Sequence, residues 1–310
     1  WNLILDKVPS KPGLQLVVSH TSRLVLNESL KQQGLSCQRA QVSATYMPVN
    51  LLSALSFAHG DNVEDEEFSL NGITEVSGVS HRMPALLHNL PKSLQKLTFA
   101  SGFNQSLHNV TWPAGLQSVT FGEDFNQSLD NVTWPAGLES LTLGQNFNQC
   151  LDKATWPSGL QSLTFEGSFN QNVDNVTWPA GLQSLTFGQD FNQSLDNVIW
   201  PAGLQSLTFG FNFKQSLDNV TWPADLQSLT FGLNFNQSLD RVRWPAGLQS
   251  ITFGYFFNQS LDNMTWPAGL RSLTFGWHFN QNLDNVTWPG GLQTLTFGYF
   301  FNQSLDNMTW

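Results

Sequence analysis

Charged residues and cysteines are scarce in this sequence. Lys, Arg, Asp and Glu make up 12% of the 310 residues, against roughly 25% in an average globular protein. The formal net charge of −10 argues against binding to nucleic acid or to an anionic membrane surface. The two cysteines, Cys37 and Cys150, lie far apart, so they indicate neither a disulfide framework nor a metal-binding pair.

Membrane spans, a signal peptide and an initiator methionine are also missing. No apolar run approaches the roughly 20 residues that cross a bilayer, and no signal-peptide pattern opens the chain. The chain runs from Trp1 to Trp310, which is itself a repeat position. We expect a piece of a longer, cytoplasmic protein that uses no cofactor and no metal.

Aromatic residues are abundant and periodic. The chain has 12 Trp and 24 Phe, and most of them recur every 22 residues without an insertion. Ten copies are marked by Trp at positions 112, 134, 156, 178, 200, 222, 244, 266, 288 and 310, with Phe in step from Phe103 to Phe301. A strict period of this size predicts a solenoid, because one unit cannot bury its apolar face alone.

Each copy is too short for a pair of helices and suits one strand with a return path. In "LQSLTFG", Leu185 and Phe187 alternate with Ser184 and Thr186. Strand geometry sends the first pair inward and the second pair onto the exposed face of a parallel sheet. The return path "FNQSLDNVTWPAG" supplies four further inward anchors: Phe191, Leu195, Val198 and Trp200.

The repeat resembles two known patterns. L-x-x-L-x-F is similar to the leucine-rich-repeat pattern, and L-x-S-L-T-F-G-x-x-F-N-Q, read at 182–193, resembles the FNIP repeat. The resemblance covers 91–310, although this chain reads FNQS where the family's name motif ends in IP. It implies a mainly β solenoid with a parallel sheet and ten 22-residue coils. It also implies a protein-interaction scaffold, since FNIP-repeat proteins resemble adaptors of the ubiquitin system.

The first 90 residues differ from the repeats. Within 1–48, two alternating apolar runs around "LNESLKQQGL" resemble the back half of a ubiquitin-like, β-grasp fold. We expect 49–90 to be a linker and a capping region, with a short helix at "VNLLSALSFAHG" and an acidic loop at "DNVEDEEF". Together they would form a small α+β region that covers the first coil of the solenoid.

Several polar positions recur with the coils. Asn192 and Gln193 predict amide ladders, interrupted where Lys214 replaces Asn. Asp196 recurs in all copies but the first, and we interpret it as a turn cap, because a calcium site needs several oxygen ligands within one loop. Arg241 and Arg243 indicate that the strip beside this Asp faces solvent.

Two residues after the Gly of each copy vary while their surroundings stay constant. They are small, polar or acidic in the first five copies and largely aromatic in the last five. Variable positions on a rigid scaffold are where recognition usually occurs. We predict a partner-binding stripe for a protein or peptide formed by Phe211, Leu233, Tyr255, Phe256, Trp277, His278, Tyr299 and Phe300. Self-association and a purely structural role remain alternatives.

Other functions are weaker hypotheses. The repeated outward Ser and Thr resemble the hydroxyl lattice of ice-binding solenoids, and the aromatic stripe would also suit a glycan. An enzyme is disfavoured, because the six histidines lie in no catalytic motif. Identical coils offer rows of one residue type, whereas catalysis needs different groups at one point.

Overall fold

The structure, a computed structural model, describes residues 41–43, 74–79, 87, 90–262 and 264–306. These residues form a single parallel sheet of 12 strands whose spatial order follows the chain order. The strands are β1 Gln41–Ser43, β2 Glu75–Val79, β3 Lys96–Phe99, β4 Ser118–Thr120, β5 Ser140–Leu143, β6 Ser162–Phe165, β7 Ser184–Thr186, β8 Ser206–Thr208, β9 Ser228–Thr230, β10 Ser250–Thr252, β11 Ser272–Thr274 and β12 Thr294–Thr296. The predicted repeat solenoid is thereby confirmed.

Strands β3 to β12 come from the ten repeats, and each repeat is one coil of 22 residues. Coils are counted here from the Pro to the Trp, so that coil five is 179–200. Neighbouring strands pair in strict register, with Ser184 opposite Ser206 and Thr186 opposite Thr208. Neighbouring strand backbones therefore lie about 4.8 Å apart, and equivalent side chains of successive coils form continuous rows.

Strands β1 and β2 precede the ten coils and extend the same sheet. The pairing of β2 with β3 contains a register shift between Ser77 and Val79, and Gly78 between them has a φ of 75°. Such a left-handed backbone suits glycine at a β-bulge. The predicted ubiquitin-like segment lies outside the described residues except for β1, and so do the expected helix and acidic loop.

The interior follows the predicted alternation. In β7 the central Leu185 is buried between half-buried Ser184 and Thr186, and Phe187, the next residue, is buried as well. The four return-path anchors, from Phe191 to Trp200, are also buried. The Ser and Thr rows face outward, with Lys96 and Thr294 in place of Ser in the first and last coils.

Phenylalanine rings form the centre of this interior. Within coil five the rings of Phe187 and Phe191 stack at 3.9 Å between centroids. Phe187 lies 5.8 Å from Phe209 in the next coil, and Phe191 lies 6.2 Å from Phe213. Each fully buried ring contributes about 1.5–3 kcal/mol by leaving water, so this double row is a major source of stability.

The tryptophan row is a second part of the interior. Trp178 stacks on Trp200 at 6.4 Å and meets Phe187 edge-on. Trp200 is only 8% exposed. The prediction that this row is core rather than an exposed sugar platform is confirmed for these coils, while Trp134, Trp156 and Trp244 are partly buried.

The Gly that ends the strand in eight of the ten coils allows close approach between coils, and Ala100 and Glu166 stand at this position in coils one and four. A Cβ atom on Gly232 would overlap the carbonyl oxygen of Gly210 in the preceding coil. The Gly in the Pro-Ala-Gly turn is different, because a Cβ atom on Gly203 would come no closer than 3.9 Å to Ala180. This explains why Asp225 can replace that second Gly in coil seven.

These two glycines give a matched test of coil packing. We expect Gly232→Ala to lower the free energy of unfolding by about 3 kcal/mol, because the new methyl group forces adjacent backbones apart. Gly203→Ala has room for the methyl group and restricts the unfolded chain, so it should raise stability by about 0.4–1 kcal/mol. Urea denaturation of both variants measures the difference, and equal effects would contradict this account.

Candidate functional site

The variable residues occupy a turn directly after each strand and form two rows. We call the first residue after the strand-ending Gly the first variable row and its successor the second variable row. The backbone N–H of Phe256, in the second row, donates to the carbonyl of Leu233, in the first row of the preceding coil, at 3.0 Å. His278 and Phe300 repeat this bond with Tyr255 and Trp277. Coil-to-coil bonding thus continues into the turn and holds both rows in order.

In the last three coils the first variable row is a stack of aromatic rings. Tyr255 stacks on Trp277 with centroids 5.5 Å apart, and Trp277 stacks on Tyr299 at 5.4 Å. Trp277 is 50% exposed and Tyr299 is 75% exposed. These rings are therefore ordered by one another and still largely open to solvent.

The second variable row forms a parallel stack beside the first. His278 lies between Phe256 at 5.1 Å and Phe300 at 5.0 Å. The rows meet edge to face, since Tyr255 and Phe256 are inclined at 77° and Tyr299 and Phe300 at 85°. Edge-to-face and offset contacts are the preferred geometries of aromatic pairs. The two stacks form one ring cluster across coils eight to ten.

The structure brings together six of the eight predicted stripe residues in this ring cluster. Phe211 and Leu233 continue the first variable row into coils six and seven. Phe211 is half exposed and has no ring partner among the described residues, and Leu233 is half-buried. We call the whole set of eight residues the aromatic surface.

One exposed hydrophobic side chain was not singled out from the sequence. Ile199 is 78% exposed and replaces the Thr of the "NVTW" segment in coil five. Ile199 is an isolated exposed hydrophobic residue near the end of its coil, away from the variable rows. Arg241 and Arg243, predicted to face solvent, are indeed exposed.

The predicted amide ladder is present and has one repeated geometry. The Oδ1 atom of Asn170 accepts the backbone N–H of Asn192 at 2.9 Å and the Nε2 group of Gln193 at 2.9 Å. Asn192 does the same for Lys214 and Gln215 in the following coil. One Asn oxygen therefore joins two coils through two hydrogen bonds.

Lys214 interrupts this ladder. Its side chain has no oxygen, and within the described residues nothing accepts a hydrogen bond from the N–H of Asn236 or from Nε2 of Gln237. Lys214 is exposed, so its ammonium group stays in water. The ladder resumes at Asn236, whose Oδ1 accepts from Asn258 and Gln259.

The aspartate row is held differently from our expectation. We predicted that Asp196 caps the turn, but the cap is the preceding Ser194, whose Oγ accepts the N–H of Asp196 at 3.3 Å. Asn282 takes the same role for Asp284 at 2.7 Å. Across the described residues, no group of three or more His, Cys, Asp or Glu side chains is placed to hold a metal ion.

The fold and its rows define a class, an LRR-like β-solenoid with ordered side-chain ladders on its turns. A family model described as FNIP Repeat matches residues 125–168, 169–212, 191–234, 211–256, 235–278 and 257–300. These matches span more than half of the chain. The chain therefore belongs to the FNIP repeat family, as the sequence resemblance predicted.

Two solved structures are similar to the chain. CroV588, described as a circular LRR protein, shares 36% sequence identity with a TM-score of 0.58, over 76% of this chain and 38% of its own. The present chain thus spans well under half the length of that relative. An internalin, inlF, of Listeria monocytogenes str. 4b F2365 shares 16% identity with a TM-score of 0.51, over 85% of this chain and 72% of its own. This second likeness supports the fold alone.

Curated protein sequences and, within the described residues, membrane-spanning helices were both searched for, without a match. No curated protein sequence matches the chain. Among the described residues, no helix has the length and apolar character needed to cross a membrane. The predicted cytoplasmic location stays a prediction.

Repair of the amide ladder is a direct test of its contribution to stability. We expect Lys214→Asn to raise the free energy of unfolding by about 1–2 kcal/mol, because the new oxygen accepts from Asn236 and Gln237. Asn192→Ala should lower it by a similar amount, since two donors lose their acceptor. Chemical denaturation of both variants is the measurement. A Lys214→Asn protein no more stable than the parent would refute the ladder's contribution.

Proposed function

We propose that this chain is a non-enzymatic interaction scaffold whose aromatic surface binds a protein or peptide partner. The observation that carries the proposal is the pair of stacked ring rows in coils eight to ten, ordered but exposed. Phe211 and Leu233 extend this surface to five coils, or about 20 Å. Aromatic residues are the commonest anchors of protein interfaces.

Preorganisation makes these rings suitable for binding. Ordering side chains at an interface costs about 0.5–1.5 kcal/mol for each one immobilised. Trp277 is already held between Tyr255 and Tyr299, and His278 is held between Phe256 and Phe300. A partner that covers this surface therefore gains apolar burial at a small entropic cost.

The surroundings of the aromatic surface also resemble those of an interface. The Ser and Thr rows of β8 to β12 run beside the variable turns and would form a polar rim. Interfaces commonly combine an aromatic centre with such a hydrogen-bonding border. The rest of the surface carries few charges, so affinity would depend on ring burial rather than on salt bridges.

A role as an adaptor in the ubiquitin system is a more specific hypothesis than a general interaction scaffold. It depends on 1–48, of which the structure describes only 41–43. It therefore stays a prediction, as do ice binding by the Ser and Thr rows and glycan binding by the aromatic surface. A thermal-hysteresis assay is the measurement for ice binding.

Paired affinity capture with mass spectrometry tests the interaction. The baits are the parent chain, a variant with Tyr255→Ser, Trp277→Ser and Tyr299→Ser, and the control Ile199→Ser, which removes an exposed hydrophobic residue elsewhere. We expect one set of proteins on the parent and the control but not on the triple variant. A purified partner should bind the triple variant at least about thirtyfold more weakly, equal to about 2 kcal/mol.

Two outcomes would contradict partner binding. If all three baits capture the same background, the aromatic surface is not a protein-binding face. If the parent is a dimer by sedimentation and the triple variant is a monomer, the surface binds a second copy of this chain instead. Circular dichroism and thermal melting of each bait establish beforehand that the fold is intact.

A further inference from the structure

A polar groove lies between the amide ladder and the second variable row in coils three to seven. Four ladder positions form one wall and four residues of the second variable row form the other, and the open space between them measures about 560 Å³. The lining residues are Asn148, Asn170, Asn192 and Lys214 on the first wall, and Ser168, Asp190, Asn212 and Asn234 on the second. From coil eight onward, Phe256, His278 and Phe300 occupy the second row, so the polar lining ends there.

The first wall is a row of fixed hydrogen-bond donors. Each of Asn148, Asn170 and Asn192 has its Oδ1 occupied by a backbone N–H and a Gln amide of the next coil. A backbone N–H can only donate, so the orientation of each amide is set. Within the described residues their Nδ2 groups make no hydrogen bond, and two N–H donors remain on each.

The second wall offers acceptors. Asn212 donates from Nδ2 to Oδ1 of Asp190 at 2.9 Å, and Asn234 donates to Oδ1 of Asn212 at 3.0 Å. This leaves Oδ2 of Asp190 and Oδ1 of Asn234 as acceptors, because the next residue in the row is Phe256. The hydroxyl of Ser168 can both donate and accept.

Charge in the groove is balanced. Asp190 contributes one negative charge and Lys214 one positive charge, and every other lining side chain is neutral. A strongly charged ligand would therefore face one group of its own sign. The groove is suited to a neutral ligand with many hydrogen-bonding groups.

A hydroxyl group is the chemistry that satisfies both walls, because it accepts from one and donates to the other. We propose that this groove binds a neutral polyhydroxylated ligand, namely a linear oligosaccharide running along the stacking direction of the coils. Each wall runs over four coils, or about 14 Å at the strand spacing, and a volume of about 560 Å³ falls within the roughly 300–1,000 Å³ of small-molecule sites. Both dimensions fit a short oligosaccharide.

An extended peptide fits the groove less well. Its carbonyl groups on one edge repeat every two residues, or about 6.6–6.8 Å. The same edge also presents the backbone N–H groups of those residues, and the first wall, which offers only donors, leaves them without an acceptor. Phe211 immediately precedes Asn212 and is half exposed, which places an aromatic residue at the edge of the groove for the apolar face of a sugar ring.

Titration calorimetry with four neutral tetrasaccharides tests the proposal: cellotetraose, mannotetraose, maltotetraose and chitotetraose. We expect at least one of them to bind the parent chain. Ser168→Trp fills the groove without removing a hydrogen bond of the ladder, and should weaken that binding at least about tenfold. Asn192→Ala removes a donor and should also weaken binding about tenfold, because a hydroxyl of the sugar loses its hydrogen-bond partner.

Asn258→Ala is the matched control for Asn192→Ala. Asn258 accepts the same two ladder bonds, from Asn280 and Gln281, but lies outside the groove. It should leave the affinity for the tetrasaccharide within about twofold, and so should the triple variant of the aromatic surface. The proposal is overturned if none of the four sugars binds, or if Asn258→Ala weakens binding as much as Asn192→Ala. Displacement of the sugar by a neutral Gly-Ser peptide at similar concentration would overturn it too.

Discussion

Stacking of each coil on an identical neighbour is the constraint on which this structure depends. In-register pairing sets each side chain against its own counterpart in the next coil, so a residue type is acceptable only if it packs well against itself. Phenylalanine rings stack, Asn and Gln amides bond to one another, and Gly permits close backbone approach. The same constraint explains the low charge content, because a repeated charge would face like charges along its row. The Asp row is tolerated because it lies at the solvent-exposed turns.

Substitutions of repeat residues differ in how much packing or hydrogen bonding they cost, depending on the row in which they occur. Leu143 replaces Phe inside the double Phe row, and Phe147 then meets Phe165 in the next coil at 6.1 Å with tilted rings. Lys214 costs two hydrogen bonds but is placed where its charge reaches water. The variable rows carry the largest changes, because the backbone bonds that hold these turns do not depend on which side chains are present. Sequence freedom in this fold is therefore concentrated on its turns.

The parts of this structure that were predictable are those fixed by periodicity. A spacing of 22 residues with alternating Leu and Phe requires a strand in every coil, and it places residues such as Leu185 and Phe191 inside. The edge-to-face contact of the two aromatic rows was not predictable, because it depends on the path of the turn. The acceptor at the Asp196 turn, Ser194 Oγ, was missed for the same reason, since Ser194 and Asp196 are both plausible caps in sequence. The polar groove requires knowing that Ser168 and Asn170 line the same space.

Contacts between the described strands are confined to neighbouring coils, and this affects how such a protein can change over generations. Removing or copying one 22-residue unit restores the same junction between Trp and Pro, so the exchange of misaligned gene copies leaves a foldable chain. Coils three to five carry only the polar part of the variable rows, coils eight to ten carry only the aromatic part, and coils six and seven carry both. Gain of units in coils eight to ten would lengthen the aromatic part, and gain in coils three to five would lengthen the polar part. The two surfaces can therefore be resized separately by recombination, without a new fold.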